Sequence, residues 1–306
     1  MRTSIVLGSR RSQLALIQSE SVAEKLREAN PGIEVTIRKI VTEGDRNRRV
    51  PLEKVSSIGI FVKELEAALL DGRIDIAVHS LKDVPSDIPE GLCLLAVTAR
   101  QDCRDVLIAR AGLDALSPGS KIGTGSLRRA VQLTQYRPDL EVSSIRGNVE
   151  TRLRKVTSGE LDGVIVAAAA IARLNMNNRI TEYLPVDRFL PAVGQGALVI
   201  EGRDDDEDVA ELVKPINHLP TWQSVIAERV FLKALGGGCR APIAALASVR
   251  DNVVKLDGMI AAPHGRKMLR GTEEGSASQP DEVGVRLAQR LLNQGASDFI
   301  DEVRVK

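Results

Sequence analysis

Paired or closely spaced arginines stand twice between Gly123 and Lys155, each time where a turn runs into a helix signal. The first stretch reads Gly123-Thr-Gly-Ser-Leu-Arg128-Arg129, the second Ser144-Ile-Arg146-Gly-Asn-Val-Glu-Thr-Arg152-Leu-Arg154-Lys155. A helix start already offers backbone N–H groups without intrahelical partners and the positive end of the peptide dipole. Guanidinium forks added there make a place for carboxylate or phosphate oxygens. Gly8-Ser9-Arg10-Arg11-Ser12 is a third strand-to-helix turn of this kind. One surface arginine means little. Arg10, Arg128, Arg129, Arg146 and Arg152, all at element starts, predict a site for a ligand that is polyanionic, large or both.

Two further segments could do chemistry. In His79-Ser80-Leu81-Lys82-Asp83-Val84-Pro85 a carboxylate and an ammonium follow a buried strand. They suit acid–base work or stabilisation of a cation; the spacing suits a capping aspartate equally well. In Gly236-Gly-Gly-Cys239-Arg240 the glycines clear space before a thiol that must meet something bulky, although an ordinary loop cysteine would read the same. Cys93, Cys103 and Cys239 form no CxxC pair, and His79, His218 and His264 are scattered, so neither a disulfide framework nor a metal site is expected. His79, at the end of an apolar strand, reads as a hydrogen-bonded packing residue.

Alternating strand and helix signals position these residues. A short strand is expected at 4–7, then an amphipathic helix over 12–29 with Leu14, Ile17, Val22 and Leu26 near one face, stopped by Pro31-Gly32. Strands follow around Val35 and Ile37, at 74–78 and at 92–97, with a helix carrying Phe61, Leu65 and Leu69 between the first two. The pattern restarts near Val106, with strands at 121–123, 141–145 and 163–166, each followed by a helix signal. This order predicts mostly parallel sheets with helices on both faces, and ligands in such sheets bind beyond the carboxyl ends of strands. After the Gly/Pro-rich crossing at Leu190–Ala197 come a strand at 198–201 and a helix opened by the acidic run 204–208. A long helix at 221–235, a hairpin of 253–260 and 267–272, and a closing helix over 281–293 make a third, α+β part.

The 306 residues carry a formal net charge of +1 and only 2% aromatic side chains. A neutral chain with almost nothing for bases to stack on is a poor nucleic-acid binder. The longest apolar run, 164–172, is too short to span a bilayer, and the N-terminus does not read as a signal peptide, so a cytoplasmic chain is expected.

Taken in order, these segments resemble the porphobilinogen deaminase family over nearly the whole length. The matching pieces are Gly8-Ser-Arg10-Arg-Ser12, Phe61-Val-Lys-Glu-Leu-Glu, the HSLKDVP segment ending at Pro85, Gly123-Thr-Gly-Ser126-Leu-Arg128-Arg129, Arg146-Gly147-Asn-Val, Leu190-Pro-Ala-Val-Gly-Gln195-Gly196 and Gly238-Cys239-Arg-Ala-Pro242. The resemblance implies an α/β fold: two periplasmic-binding-protein-like doubly wound lobes plus a smaller C-terminal α+β domain. The first lobe would take residues 1–97 and 197–215, the strand near Leu198 returning to it; the second would take 101–192, and the α+β domain 218–306.

It also implies a transferase of tetrapyrrole, and hence porphyrin and heme, biosynthesis, monomeric as the family usually is. Four porphobilinogen molecules are joined head to tail with loss of ammonia, on a dipyrromethane cofactor tied by a thioether to Cys239. Asp83 would be catalytic, steadying the positive charge that spreads over the pyrrole nitrogens. Lys82, Arg128, Arg129, Ser126, Thr124, Ser80, Arg146 and Gly147 would bind the cofactor. Arg10, Ser12, Arg146, Arg152 and Gln195 would bind substrate. Many members carry a lysine in a flap where this chain has Ile58; Lys54 or Arg48/Arg49 are the candidates to replace it. The alternative is a two-lobed receptor for a small oxyanion such as sulfate or a dicarboxylate, a reading that leaves Cys239 without a use.

Overall fold

The computed structural model describes residues 2–41, 62–236, 242–263, 265 and 267–304, with side chains to residue 300. Cys239, Phe61, His264, Ile58, Lys54 and Arg48/Arg49 lie outside the described residues. Two compact units are present, Met1–Arg100 with Ala197–Trp222, and Gln101–Gly196 with Gln223–Lys306.

The first unit is built on five strands, β1 (Ser4–Arg10), β2 (Glu34–Ile40), β3 (Ile76–Ser80), β4 (Leu92–Val97) and β10 (Leu198–Arg203), in the order β2-β1-β3-β10-β4. β1 pairs in parallel with β2 and β3, whereas β10 runs antiparallel to both its neighbours. Alternate side chains of each strand face opposite layers. Ile5, Leu7, Ile76, Val78 and Ile200 meet Val22 and Leu26 of α1 (Gln13–Ala29) and Val209 and Val213 of α6 (Glu207–Val213) on one face. Leu65, Ala68 and Leu69 of α2 (Lys63–Leu70) cover Ile40, Ile74, Ala77 and Leu92 on the other.

The buried stripe of α1 is Gln18, Ser19, Val22, Ala23 and Leu26; Leu14 and Ile17, expected on it, are only half-buried in the first turns after the carboxyl end of β1. His79 is a buried packing residue as read, its Nε2 3.0 Å from Glu201 of β10. At the amino ends of β1 and β3, Arg2 pairs with Asp75, and Arg203 pairs with Asp206, the residue that caps α6.

The second unit repeats the design. β5 (Asp105–Ala109), β6 (Lys121–Thr124), β7 (Glu141–Ser144), β8 (Gly163–Ala167) and β9 (Glu182–Tyr183) lie in the order β7-β6-β8-β5-β9, with β5 as the reversed strand. α3 (Leu127–Tyr136) covers one face through Leu133 against Leu107, Ile122 and Ile165. α4 (Val149–Thr157) and α5 (Ala168–Arg173) cover the other, where Ile145, Val164 and Val166 are buried.

The same unit holds an antiparallel sheet of β11 (Ile243–Arg250), β12 (Val253–Ala261) and β13 (Met268–Ser276). Phe231 of α7 (Leu219–Ala234) and Val283, Leu287 and Leu291 of α8 (Pro280–Leu291) form its core. Emptying a buried phenylalanine site such as Phe231 costs about 3–5 kcal/mol. α9 (Ser297–Arg304) follows the positive-φ Gly295. Glu228 of α7 is fully buried and accepts from the backbone N–H groups of Gly194 at 2.7 Å and Ala247 at 2.8 Å, so one carboxylate ties the crossing segment to β11. Among the described residues no helix is long and apolar enough to cross a membrane.

Candidate active site

In the second unit the two arginine-bearing turns leave neighbouring parallel strands. β6 and β7 are in register from Lys121↔Glu141 to Thr124↔Ser144, so their carboxyl ends lie side by side. The Ile145 N–H donates to the Thr124 carbonyl at 3.4 Å. A Cβ on Gly125 would stand 2.6 Å from the Ile145 carbonyl oxygen, so only glycine lets the two backbones meet. Gly147, at φ +102°, sits where L side chains are strained, and a Cβ there would run into Thr151. Arg152 reaches back from α4, its Nε donating to the Gly147 carbonyl at 2.9 Å and its Nη2 lying 3.8 Å from the Cβ position of Gly125. Thr124, Ser126, Gly147 and Arg152 are thus brought to one place by two strand ends, with the exposed Arg146 on the second turn.

The hydroxyls expected to bind ligand also organise the turns. Ser126 is the N-cap of α3 and accepts from Arg129 N–H at 3.4 Å, and Thr124 Oγ1 accepts from Ser126 N–H at 3.2 Å. Asn148 caps α4 through Thr151 N–H at 2.9 Å. Each hydroxyl still carries its own proton to donate.

Arg128 and Arg129 are 5% and 6% exposed and converge on Asp105, which is 0% exposed at the start of β5. Arg128 Nη1 donates to Asp105 Oδ2 at 2.8 Å and to the Leu190 carbonyl at 2.7 Å. Arg129 donates to Asp105 Oδ1 from Nε at 3.0 Å and from Nη2 at 2.7 Å. Burial pushes the Asp105 carboxyl up, but the two guanidinium charges and their hydrogen bonds outweigh it and hold it well below the usual carboxylate range. Burial lowers Arg128 against the pull of Asp105.

Gln195, expected at substrate, is 1% exposed and turned inward. Its Nε2 donates to Asp105 Oδ1 at 2.8 Å and to the Cys103 carbonyl at 2.7 Å, and its Oε1 lies 3.4 Å from Arg129 Nη2. An amide so engaged supports the arginine rather than presenting itself to a ligand.

In the first unit the carboxyl ends of adjacent β1 and β3 carry Arg10 and Ser80. Ser12 caps α1, accepting from Ala15 N–H at 3.3 Å. Ser80 Oγ accepts from the buried Gln18 at 2.8 Å, which fixes the oxygen and leaves the hydroxyl proton to donate. A 3₁₀ turn, Leu81–Asp83, follows, anchored by the buried Leu81, whose N–H donates to the Ala197 carbonyl at 3.1 Å. Lys82 is half-buried and Asp83 exposed. The capping alternative for Asp83 fails, because the residue stands at the end of its turn and its carboxylate makes no side-chain hydrogen bond or ion pair among the described residues.

Asp105, Gln18 and the inward role of Gln195 escape a sequence reading. An aspartate opening an apolar strand gives no sign of arginines more than twenty positions further on, and a glutamine on a helix face reads as polar surface.

Residues 5–211 match the family profile described as "Porphobilinogen deaminase, dipyromethane cofactor binding domain", and residues 222–293 match the family's C-terminal domain. Porphobilinogen deaminase of Brevibacillus brevis is 46% identical over 300 residues, 97% of this chain and 96% of its own. That of Pelobacter propionicus is 48% identical over 298 residues, 97% of this chain and 96% of its own. The solved methionine-binding protein MetQ is similar over 72% of this chain and 91% of that one, at 16% identity and a TM-score of 0.43. With both family domains matched and nearly half of all positions shared along almost the full length, the chain belongs to the porphobilinogen deaminase family.

Proposed function

We propose that this chain is a hydroxymethylbilane synthase in which Asp83 is the catalytic carboxylate and the strand-end arginines hold the carboxylates of a growing pyrrole chain. The enzyme is a transferase that joins four porphobilinogen molecules head to tail with loss of ammonia and releases hydroxymethylbilane by hydrolysis, a step of tetrapyrrole biosynthesis. One observation carries the reading: two helix-opening turns meet at Gly125 and Ile145, so that hydroxyl, backbone and guanidinium donors converge from both.

This donor set suits a dipyrromethane. Such a group is two planar pyrrole rings joined by a methylene, and it bears acetate and propionate side chains, which charge-assisted forks recognise best. Arg128, Arg129, Ser126, Thr124, Arg146 and Gly147, with Lys82 and Ser80, are the residues we assign to it. When bound by a thioether to Cys239, it supplies the chain end onto which the new rings are added. Arg10, Ser12 and Arg152 would bind the incoming substrate. Gln195 is reassigned as a support for Arg129.

Asp83 suits its role because it is a solvent-reachable carboxylate on a short, well-anchored turn. It can accept hydrogen bonds from the pyrrole N–H groups of porphobilinogen. As ammonia leaves, positive charge spreads onto the pyrrole nitrogen, and a fixed carboxylate stabilises it. The same oxygens can deliver a proton to the departing amine and take one from the attacked ring carbon. The chain would act as a cytoplasmic monomer.

Intact-mass spectrometry of the purified protein should show the mass of two added pyrrole units, and Cys239→Ala should lack it. Porphobilinogen should release ammonia with the wild type only. An unmodified wild-type mass without ammonia release rules the reading out. Asp83→Asn should keep the adduct and lose turnover by 100-fold or more, in line with about 10²–10⁴ for a positioned acid–base group. A fully active variant removes Asp83 from the chemistry.

A further inference from the structure

Arg128, Asp105, Arg129 and Gln195 form a closed cluster that the proposed chemistry does not explain by itself. Asp105 Oδ1 receives three N–H donors, two from Arg129 and one from Gln195, while Oδ2 receives Arg128. Two guanidiniums against one carboxylate leave one positive charge in a place from which water is nearly excluded. An uncompensated buried charge is strongly unfavourable. The charge also sits where the backbone makes it worse: both arginines lie in the first turn of α3, beside the positive end of its dipole, and that turn has no acidic residue. A buried pair kept only for stability would be matched one to one. A surplus beside a helix start breaks a local rule, and such breaches mark functional sites.

We infer that Asp105, supported by Gln195, is the positioning residue for Arg128 and Arg129, and that the remaining positive charge is matched by a single carboxylate of the bound pyrrole chain. This rests on the proposed function and deepens it. Asp105 turns two flexible side chains into fixed forks before the ligand arrives, which removes an ordering cost from binding. The class of ligand group follows from the charge: one carboxylate, against which a phosphate dianion would be over-charged.

Asp105→Asn tests the inference. Asparagine keeps the shape but presents N–H groups to one fork, so the arginines lose their register. At a temperature where circular dichroism shows the variant fully folded, the fraction of chains carrying the two-ring adduct should fall and turnover should drop about 100-fold, as for a displaced binding group. In Asp105→Gly, added formate should restore part of the turnover, and chloride at equal ionic strength should not. A folded Asp105→Asn with wild-type adduct and turnover overturns the inference. If Asp105→Asn does not fold, Gln195→Met decides: it keeps all three charges and removes the amide. Turnover reduced several-fold in the folded protein supports the inference, and wild-type turnover overturns it. Wild type measured alongside separates the two levels, because absence of adduct and ammonia there defeats the proposed function itself.

Discussion

A carboxylate enclosed by two guanidiniums responds to acid in the opposite sense from one enclosed by carbon. Asp105 is held below its unfolded value of about 3.9, so its contribution to stability is complete above that pH and is lost as pH falls toward the folded value. Melting temperature should therefore fall steeply below about pH 4 in the wild type, and less steeply in a folded Asp105→Asn. Glu66 of α2 shows the reverse. Burial, reinforced by Glu201, raises its carboxyl against a smaller opposing effect of His79. Its stabilising contribution is present below about pH 4.3 and disappears as pH rises through the folded value. Glu66→Gln should raise the melting temperature at pH 7, and the gain should shrink toward pH 4; an equal gain at both values contradicts this. At the residue scale Asp83 and the arginines are legible as candidates in the sequence, because each stands beside a turn signal. Asp105 was hidden, since its partners are its neighbours only after folding.

At the scale of elements, the site depends on two turns that touch. Gly125→Ala would place a methyl carbon against the Ile145 carbonyl and push β6 and β7 turns apart. Gly147→Ala would meet the left-handed penalty of about 1–2 kcal/mol and a collision with Thr151. Both variants should remain folded and lose turnover of porphobilinogen, Gly125→Ala the more, because the backbone it strikes cannot swing aside. A steady-state assay with thermal melts as control checks this. Element legibility followed the same logic. Short apolar runs mark β1, β3 and β4, alternation marks β2, and helical spacing marks α1. β11 gives no strand signal, because Ile243-Ala-Ala-Leu-Ala-Ser-Val-Arg250 is alanine-rich and lacks the β-branched pattern that marks strands. β9 has two residues, too few for any period, and α9 begins only after the positive-φ Gly295.

For the whole molecule, the two five-stranded sheets share one plan, a reversed strand in the fourth position. In the second sheet that strand is β5, the first of its unit. In the first sheet it is β10, which the chain reaches only after the second sheet is complete. Periodicity could not reveal this, since Leu198–Arg203 reads like any apolar strand; only the family resemblance carried it. A fragment ending at Gly196 would leave facing edges of β3 and β4 unpaired and should be insoluble or rapidly exchanging at those amides, whereas one ending at Trp222 should protect them. Hydrogen exchange on the two fragments distinguishes the outcomes.

The late arrival of β10 also has a meaning during synthesis. A ribosome adds roughly 5–20 residues per second, so the hundred or so residues between β4 and β10 take about 5–20 s to appear. Through that interval the nascent amino-terminal sheet exposes two open strand edges rich in Val, Ile and Leu, the kind of template that recruits other chains. The protein is thus committed to a waiting period in which a holdase chaperone, or rapid closure by the returning strand, decides between folding and aggregation.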